Sequence, residues 1–247
     1  MLISRSFSLG RSKMVGFLDE LASIEGRAVS AYLPQGTPLD RVERVLGQVF
    51  ATTAMPPRID ELIAGSEMGA VLFRGLAGTY LVLPPFPIGE EHITHAYDIR
   101  PLRSLLGHDF LIALVLVRLG AYSIGICQGT KVVDSKTGTG LVHARHKKGG
   151  SSQARHREQQ IEYFLDRVCG HVREYIEPHA RSLDYLVYGG ARNTLLSLRK
   201  RCPFLHQFEN RILRMLLDIP EPRKAVLEKA LGNVWSSKVI EWREDDR

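Results

Sequence analysis

The spacing of apolar positions switches between helical and extended periods along this chain, and the switches mark its elements. Met14, Phe17, Leu18 and Leu21 recur at the three-and-four spacing of one helix face, which ends near Gly26. Residues 28–33 then read as a short strand stopped at Pro34. Thr37-Pro38-Leu39-Asp40 has the form of a helix start, with Thr37 as N-cap and Pro38 at the first helical position. Val42, Val45, Leu46, Val49 and Phe50 share one face of the helix that follows, and a second helix after Pro56-Pro57 turns Ile59, Leu62 and Ile63 inward. Stretches 70–73 and 79–83 are strands joined by a turn that holds Gly75 and Gly78, and 91–107 contains a further strand and helix. Together these elements make residues 1–107 a small α/β domain.

A different pattern opens at Asp109. Segment 110–119 is almost wholly apolar, as in a strand buried on both faces, while Tyr122, Ile124 and Ile126 alternate with small residues and Lys131-Val132-Val133 continues after Gly129. Three consecutive antiparallel strands turned at Gly120 and Gly129 fit this pattern. Further on, Ile161, Phe164, Leu165, Val168, Cys169, Val172 and Ile176 trace a long amphipathic helix stopped by Pro178. A buried strand at 185–188 ends in Gly189-Gly190, and a helix occupies 194–200. Segment 208–219 is apolar enough for helix, strand or both, and a last helix after Pro222 carries Val226, Leu227, Ala230, Leu231 and Val234. Three strands, a helix, a strand and further helices is the order of an RNase H-like α/β domain, expected over residues 108–247.

Composition narrows the class. The 247 residues are 44% hydrophobic and 24% charged, which suits a soluble globular protein of one large or two ordinary domains. The longest wholly apolar run, 110–117, is too short to cross a bilayer, and the first ten residues lack the apolar core of a signal peptide. A cytoplasmic protein with no membrane partner is expected. Cys127, Cys169 and Cys202 are odd in number and widely spaced, so they read as reduced, buried thiols rather than a disulfide framework or metal site.

The net charge of +6 matters less than its placement. Between residues 143 and 157 lie His143, Arg145, His146, Lys147, Lys148, Arg155, His156 and Arg157, with no carboxylate until Glu158. Thr137-Gly138-Thr139-Gly140 introduces this segment, and Gly149-Gly150-Ser151-Ser152-Gln153 sits in its middle, a basic loop expected over about 135–153 with the helix starting at Ala154-Arg155. The glycine pair lets the backbone approach a ligand without a Cβ in the way. Arg145, Lys147, Lys148, Arg155 and Arg157, with His146 and His156 among them, are suited to the phosphates of a nucleic acid. Gln153 carries a neutral amide and cannot act as a general base, so its chemistry is to position a nucleophile or a reacting oxygen. Such positioning supplies about 7–11 kcal/mol of a barrier in favourable intramolecular cases. Ser151 and Ser152 are placed to cap the helix or to contact ribose. With water as nucleophile an ester is hydrolysed; with a ribose 2′-OH an RNA strand is cut.

Residues 109 to about 240 resemble the middle domain of eukaryotic and archaeal class I release factors, in which a strand hairpin leads to a basic Gly-Gly-Gln loop and then a long helix. The residues that carry the resemblance are Lys147-Lys148-Gly149-Gly150-Ser151-Ser152-Gln153, then Leu186-Val187-Tyr188-Gly189-Gly190, then the run from Gln207 through Ile219. The two serines between glycines and glutamine depart from that form and are similar to the loop of the Vms-like release factors. That resemblance implies a peptidyl-tRNA hydrolase of ribosome quality control, acting on stalled large subunits, some members cutting tRNA near its CCA end. No stop-codon-reading motif matches within residues 1–107, which favours stop-codon-independent rescue over termination. The implied partners are the large ribosomal subunit and peptidyl-tRNA; no cofactor is implied.

Two other readings stand beside it. One is a noncatalytic ribosome- or RNA-binding factor, for which the glutamine is dispensable. The other is a metal-dependent nuclease of RNase H type, which requires carboxylates clustered on the central strands; segment 110–119 has none, leaving only Asp134 and Asp166. The pairs His143/His146 and His92/His95 lack a third ligand nearby, so no metal is expected.

Overall fold

The computed structural model describes residues 2–50, 55–76, 78–142 and 151–244. In chain order the elements are β1 (Leu2–Leu9), α1 (Arg11–Ala22), β2 (Ala28–Leu33), α2 (Leu39–Phe50), α3 (Ile59–Ala64), β3 (Ala70–Gly75), β4 (Gly78–Leu83), β5 (His92–Thr94) and α4 (Arg100–Gly107). They continue with β6 (Leu111–Arg118), β7 (Ala121–Gln128), β8 (Lys131–Thr139), α5 (Ser151–Ile176), β9 (Tyr185–Gly190), α6 (Arg192–Arg201), β10 (Ile212–Leu217), α7 (Lys224–Val234) and β11 (Ser237–Glu244). The chain forms two compact units, Met1–His108 with Val234–Arg247, and Asp109–Asn233.

In the first unit, consecutive strand residues feed opposite cores. Val71 and Phe73 of β3 join Tyr32 and Val239 beneath Met14 and Leu18 of α1 and Leu102 and Leu106 of α4. Ala70 and Leu72 join Leu33, Leu81 and Trp242 beneath Val42, Val45 and Leu46 of α2 and Ile59 and Ile63 of α3. The antiparallel sheet, ordered β1-β11-β4-β3-β2-β5, is therefore buried on both faces. Assigning all of residues 108–247 to the second domain is corrected here: β11 lies between β1 and β4, with Val239 packed into one core and Trp242 into the other. Thr37 does not cap α2. Its hydroxyl donates to Pro34 O at 2.7 Å and tightens the preceding turn.

The second unit has a five-stranded sheet ordered β10-β9-β6-β7-β8. β6, β7 and β8 are antiparallel, while β9 pairs parallel with β6 and β10 parallel with β9. Counted within the unit the order is 5-4-1-2-3, the RNase H-like arrangement. Phe164, Leu165, Val168 and Val172 of α5 and Leu195 and Leu198 of α6 form one core with Val115, Val117, Tyr122 and Ile124. The stretch 208–219 divides: a 3₁₀ segment (Pro203–Arg211) ends in β10. Gly189-Gly190 closes β9 for packing reasons, since Gly190 has φ +117° and a Cβ there would lie 2.1 Å from Val117 O.

The cysteine reading also changes. Cys127 is a buried free thiol, but Cys169 and Cys202 form a disulfide across 33 residues, tying α5 to the end of α6. Their wide separation in sequence hid a pair that the α5–α6 packing brings together. Closing a loop of this length restrains the unfolded chain by about 3–4 kcal/mol in the chain-entropy account. Replacing both cysteines by serine is expected to lower the denaturant midpoint of the second unit under non-reducing conditions, with wild type in reductant falling to the same value.

Asp98, whose side chain is 7% exposed, fixes the entry to α4. Its carboxylate accepts from Arg100 Nε at 2.8 Å and Nη2 at 3.0 Å and from His92 Nε2 at 3.1 Å, while the Tyr32 hydroxyl donates to its carbonyl at 2.7 Å. The Arg100 guanidinium holds the Asp98 carboxyl below its ordinary value of 3.8, against the opposing effect of burial. A depressed folded-state value means that the stabilisation is fully present above pH 3.8 and is lost as pH falls through the folded-state value. Asp98→Asn is expected to lower first-unit stability at neutral pH and to flatten its decline in acid, read by urea unfolding between about pH 2 and 7.

Candidate functional site

The end of β8 and the middle of α5 are fitted to one another. Ala121, Tyr122 and Ser123 of β7 pair with Thr139, Gly138 and Thr137, and Ser123 Oγ and Thr137 Oγ1 share a 2.9 Å hydrogen bond. The absence of side chains at Gly138 and Gly140 permits the contact: a Cβ at Gly138 would fall 2.4 Å from the Tyr122 hydroxyl, and one at Gly140 2.5 Å from Phe164 Cδ2. Arg167 of α5 donates through Nη2 to Thr139 O, and Gly140 N donates to Gly120 O at 2.8 Å. Tyr122 stacks on His171 with centroids 5.5 Å apart, and His171 is held by Glu174 at 2.9 Å. The strand is clasped where it leaves the sheet.

N-terminal to this clasp, Ile161 of α5 still packs against the core, and the described side chains beyond it are exposed or half-buried. Among the described side chains of the helix Phe164 is the first that is fully buried; Gln153, Arg155, His156, Glu158, Gln159, Glu162 and Tyr163 are exposed, and Arg157, Gln160 and Ile161 are half-buried. Gln153 precedes Phe164 by eleven residues, about 16 Å of helix rise. It lies in the first turn, where backbone N–H groups have no carbonyl partner within the helix and the helix carries partial positive charge. No acidic residue occupies that turn. On the opposite flank, Arg201 of α6 engages Asp166 at 2.8 Å and Glu162 at 3.1 Å, and this pairing holds the Asp166 carboxyl below the usual range.

Gly149, Gly150, Arg145, His146, Lys147 and Lys148 lie outside the described residues. Of the remaining candidates, Ser151, Ser152 and Gln153 form the beginning of α5. The helix thus starts three residues earlier than Ala154, and the loop expected over 135–153 is shortened at both ends: β7 pairing carries β8 to Thr139, and helical hydrogen bonding begins at Ser151. The carboxylates of the nuclease reading do not converge. Asp166 is engaged by Arg201, Asp134 accepts from the backbone N of Ser135 at 2.7 Å, and among the described residues no three His, Cys, Asp or Glu side chains come together. His92 is bound to Asp98. The clasp of Gly138, Gly140, Tyr122 and Arg167 escaped the sequence reading; its signal was the alternation of glycine in Thr137-Gly138-Thr139-Gly140.

An RNase H-like sheet whose long helix begins in an exposed glutamine defines the class of the second unit. A model of the Actinobacteria/chloroflexi VLRF1 release factor matches residues 111–240, and the chain belongs to this family. The peptide chain release factor subunit 1 of Aeropyrum pernix is 23% identical over 214 residues, covering 72% of this chain and 56% of the relative. That of Archaeoglobus fulgidus is 22% identical over 186 residues, covering 66% and 46%. The chain spans about half the length of these curated relatives. Among solved structures, the archaeal translation termination factor aRF1 aligns with 92% of this chain and 73% of its own at 18% identity and a TM-score of 0.42. The Vms1 mitochondrial localization core aligns over 96% and 94% at 11% identity and a TM-score of 0.37. Among the described residues no helix is long and apolar enough to cross a membrane.

The clasp has a direct test. Gly140→Val forces a branched side chain against Phe164 and Arg167 and is expected to destabilise the second unit by about 1–3 kcal/mol, as overpacking does. Thermal unfolding measures the loss. Thr139→Val, which keeps the carbonyl that Arg167 uses, is expected to change it little.

Proposed function

We propose that this protein frees nascent chains from peptidyl-tRNA on stalled ribosomes or large subunits, independently of a stop codon. The observation that carries this reading is the position of Gln153, exposed in the first turn of a helix whose leading end is free of its own core. Arg155 and Arg157 stand near the positive end of the helix, where cations are unfavourable for helix stability. A local choice that opposes stability fits a surface selected for anions. With Arg145, Lys147 and Lys148 they supply the charge that meets RNA phosphates, and Gly149 and Gly150 allow close approach of the backbone to the tRNA end.

Gln153 is the positioning group, with Ser151 and Ser152 beside it. In ester hydrolysis, its amide orients a water molecule toward the peptidyl ester carbonyl; the acyl–oxygen bond breaks, and the tRNA 3′-oxygen leaves with a proton. In strand cleavage, it orients a ribose 2′-OH toward the adjacent phosphorus; the bond to the 5′-oxygen breaks, leaving a cyclic phosphate and a 5′-hydroxyl. Both use positioning in place of a strong base. Family membership and the likeness to archaeal release factors support the release reading.

Release from purified stalled large subunits carrying peptidyl-tRNA tests it. Gln153→Ala is expected to lower the release rate by about a hundredfold or more while circular dichroism stays unchanged. Mapping the 3′ end of the liberated tRNA separates the two chemistries, an intact CCA end marking ester hydrolysis and a shortened end strand cleavage. Subunit binding without release by wild type would replace the enzyme with a noncatalytic binding factor.

A further inference from the structure

Tyr163 is 72% exposed, the one aromatic side chain among the large hydrophobics that stand exposed in the described residues. It lies on the leading half of α5. At about 100° per residue, Gln153, His156, Gln160, Tyr163 and Arg167 fall within about 80° of helix circumference. Glu158, Glu162 and Asp166 occupy a second sector centred about 140° away, the last two engaged by Arg201, with Arg155 in the same sector. From Gln153 to Arg167 the sector that contains Gln153 therefore holds no carboxylate; Glu174, further along the helix in the same sector, is bound to His171. On that face the Gln160 amide donates to His156 Nε2 at 3.3 Å, which orients the imidazole, and Arg167 is set by Thr139 O.

We propose that this face is a track for an unpaired RNA 3′ end, with Tyr163 as a nucleobase-stacking platform. Aromatic planes take bases without regard to sequence, because every base has a π-face. A carboxylate-free sector with Arg157 on its flank and Arg167 at its far end is complementary to a polyanion. Ten residues separate Tyr163 from Gln153, about 15 Å along the helix. Stacked nucleotides advance about 3.4 Å each, so the track holds roughly four. Tyr163 takes the base about four positions behind the reacting end, and His156 lies beside the bases between. The direction of the strand rests on the release function proposed above; the stacking itself does not.

The test compares binding of the full chain to a fluorescein-labelled RNA hairpin with a four-nucleotide unpaired 3′ overhang and to the same hairpin with a blunt end. Wild type is expected to prefer the overhang by about tenfold, the scale of one base–aromatic stack. Tyr163→Ala is expected to erase that preference, and Tyr163→Phe, which keeps the ring, to retain it. Because the side chain is exposed, neither change should shift the melting temperature. An overhang preference that survives Tyr163→Ala overturns the proposal, and if large-subunit binding falls at the same time, Tyr163 faces protein instead. Release assayed in parallel separates the two readings. Loss of overhang preference in Tyr163→Ala with release indifferent to Gln153→Ala overturns the release function alone; the converse overturns the track alone.

Discussion

The contact between the glycine-bearing end of β8 and the Phe164–Arg167 turn of α5 is the constraint on which the second unit's geometry depends. It fixes where the strand leaves the sheet and, at the same level, where the helix becomes buried. N-terminal to that level the described side chains of α5 contribute only Ile161 to the core, whereas C-terminal to it one face of the helix is buried. One helix therefore obeys two sets of rules. From Phe164 to Ile176 its apolar positions recur at core spacing; from Gln153 to Tyr163 its described side chains are mostly polar and exposed, with Ile161 the one that packs on the core. The disulfide between Cys169 and Cys202 and the pairing of Arg201 with Asp166 and Glu162 tie the helix to α6 near this division.

The second unit was largely legible because its strands announce themselves. Segment 110–119 can be little other than a strand buried on both faces, and turns at Gly120 and Gly129 fix its hairpins. The limits of the basic segment were not legible. Lys136 and Gly138 of β8 look like loop residues, yet β8 is an edge strand with one ladder and a largely exposed surface, which tolerates polar and small residues. Ser151 and Ser152 likewise have modest helix propensity and enter the helix regardless, because a long amphipathic segment anchored downstream extends it. The disulfide could not be read from spacing, since pairing depends on which helices meet.

In the first unit the miss was β1 and β11. The alternation of Ile3, Arg5, Phe7 and Leu9 with serines is a strand period, but a strand at one end of a sequence offers no local clue to its partner. Here the partner is more than two hundred residues away. Arg5 meets Glu241 directly across the ladder, and Glu241, 4% exposed, is also held by Arg243 at 2.7 Å. Burial alone would push that carboxyl up; the two guanidinium groups hold it below the ordinary range.

The second unit is thus an insertion within the first, and this sets a timetable for synthesis. Residues 109–233 emerge from the ribosome ahead of β11, so the inserted unit can complete its own sheet while the earlier one waits with the facing edges of β1 and β4 unpaired. The contacts that finish the first unit close the longest loops in the chain, the slowest kind of step in folding. The nascent protein therefore acquires its glutamine-bearing helix before the sheet encoded first is whole.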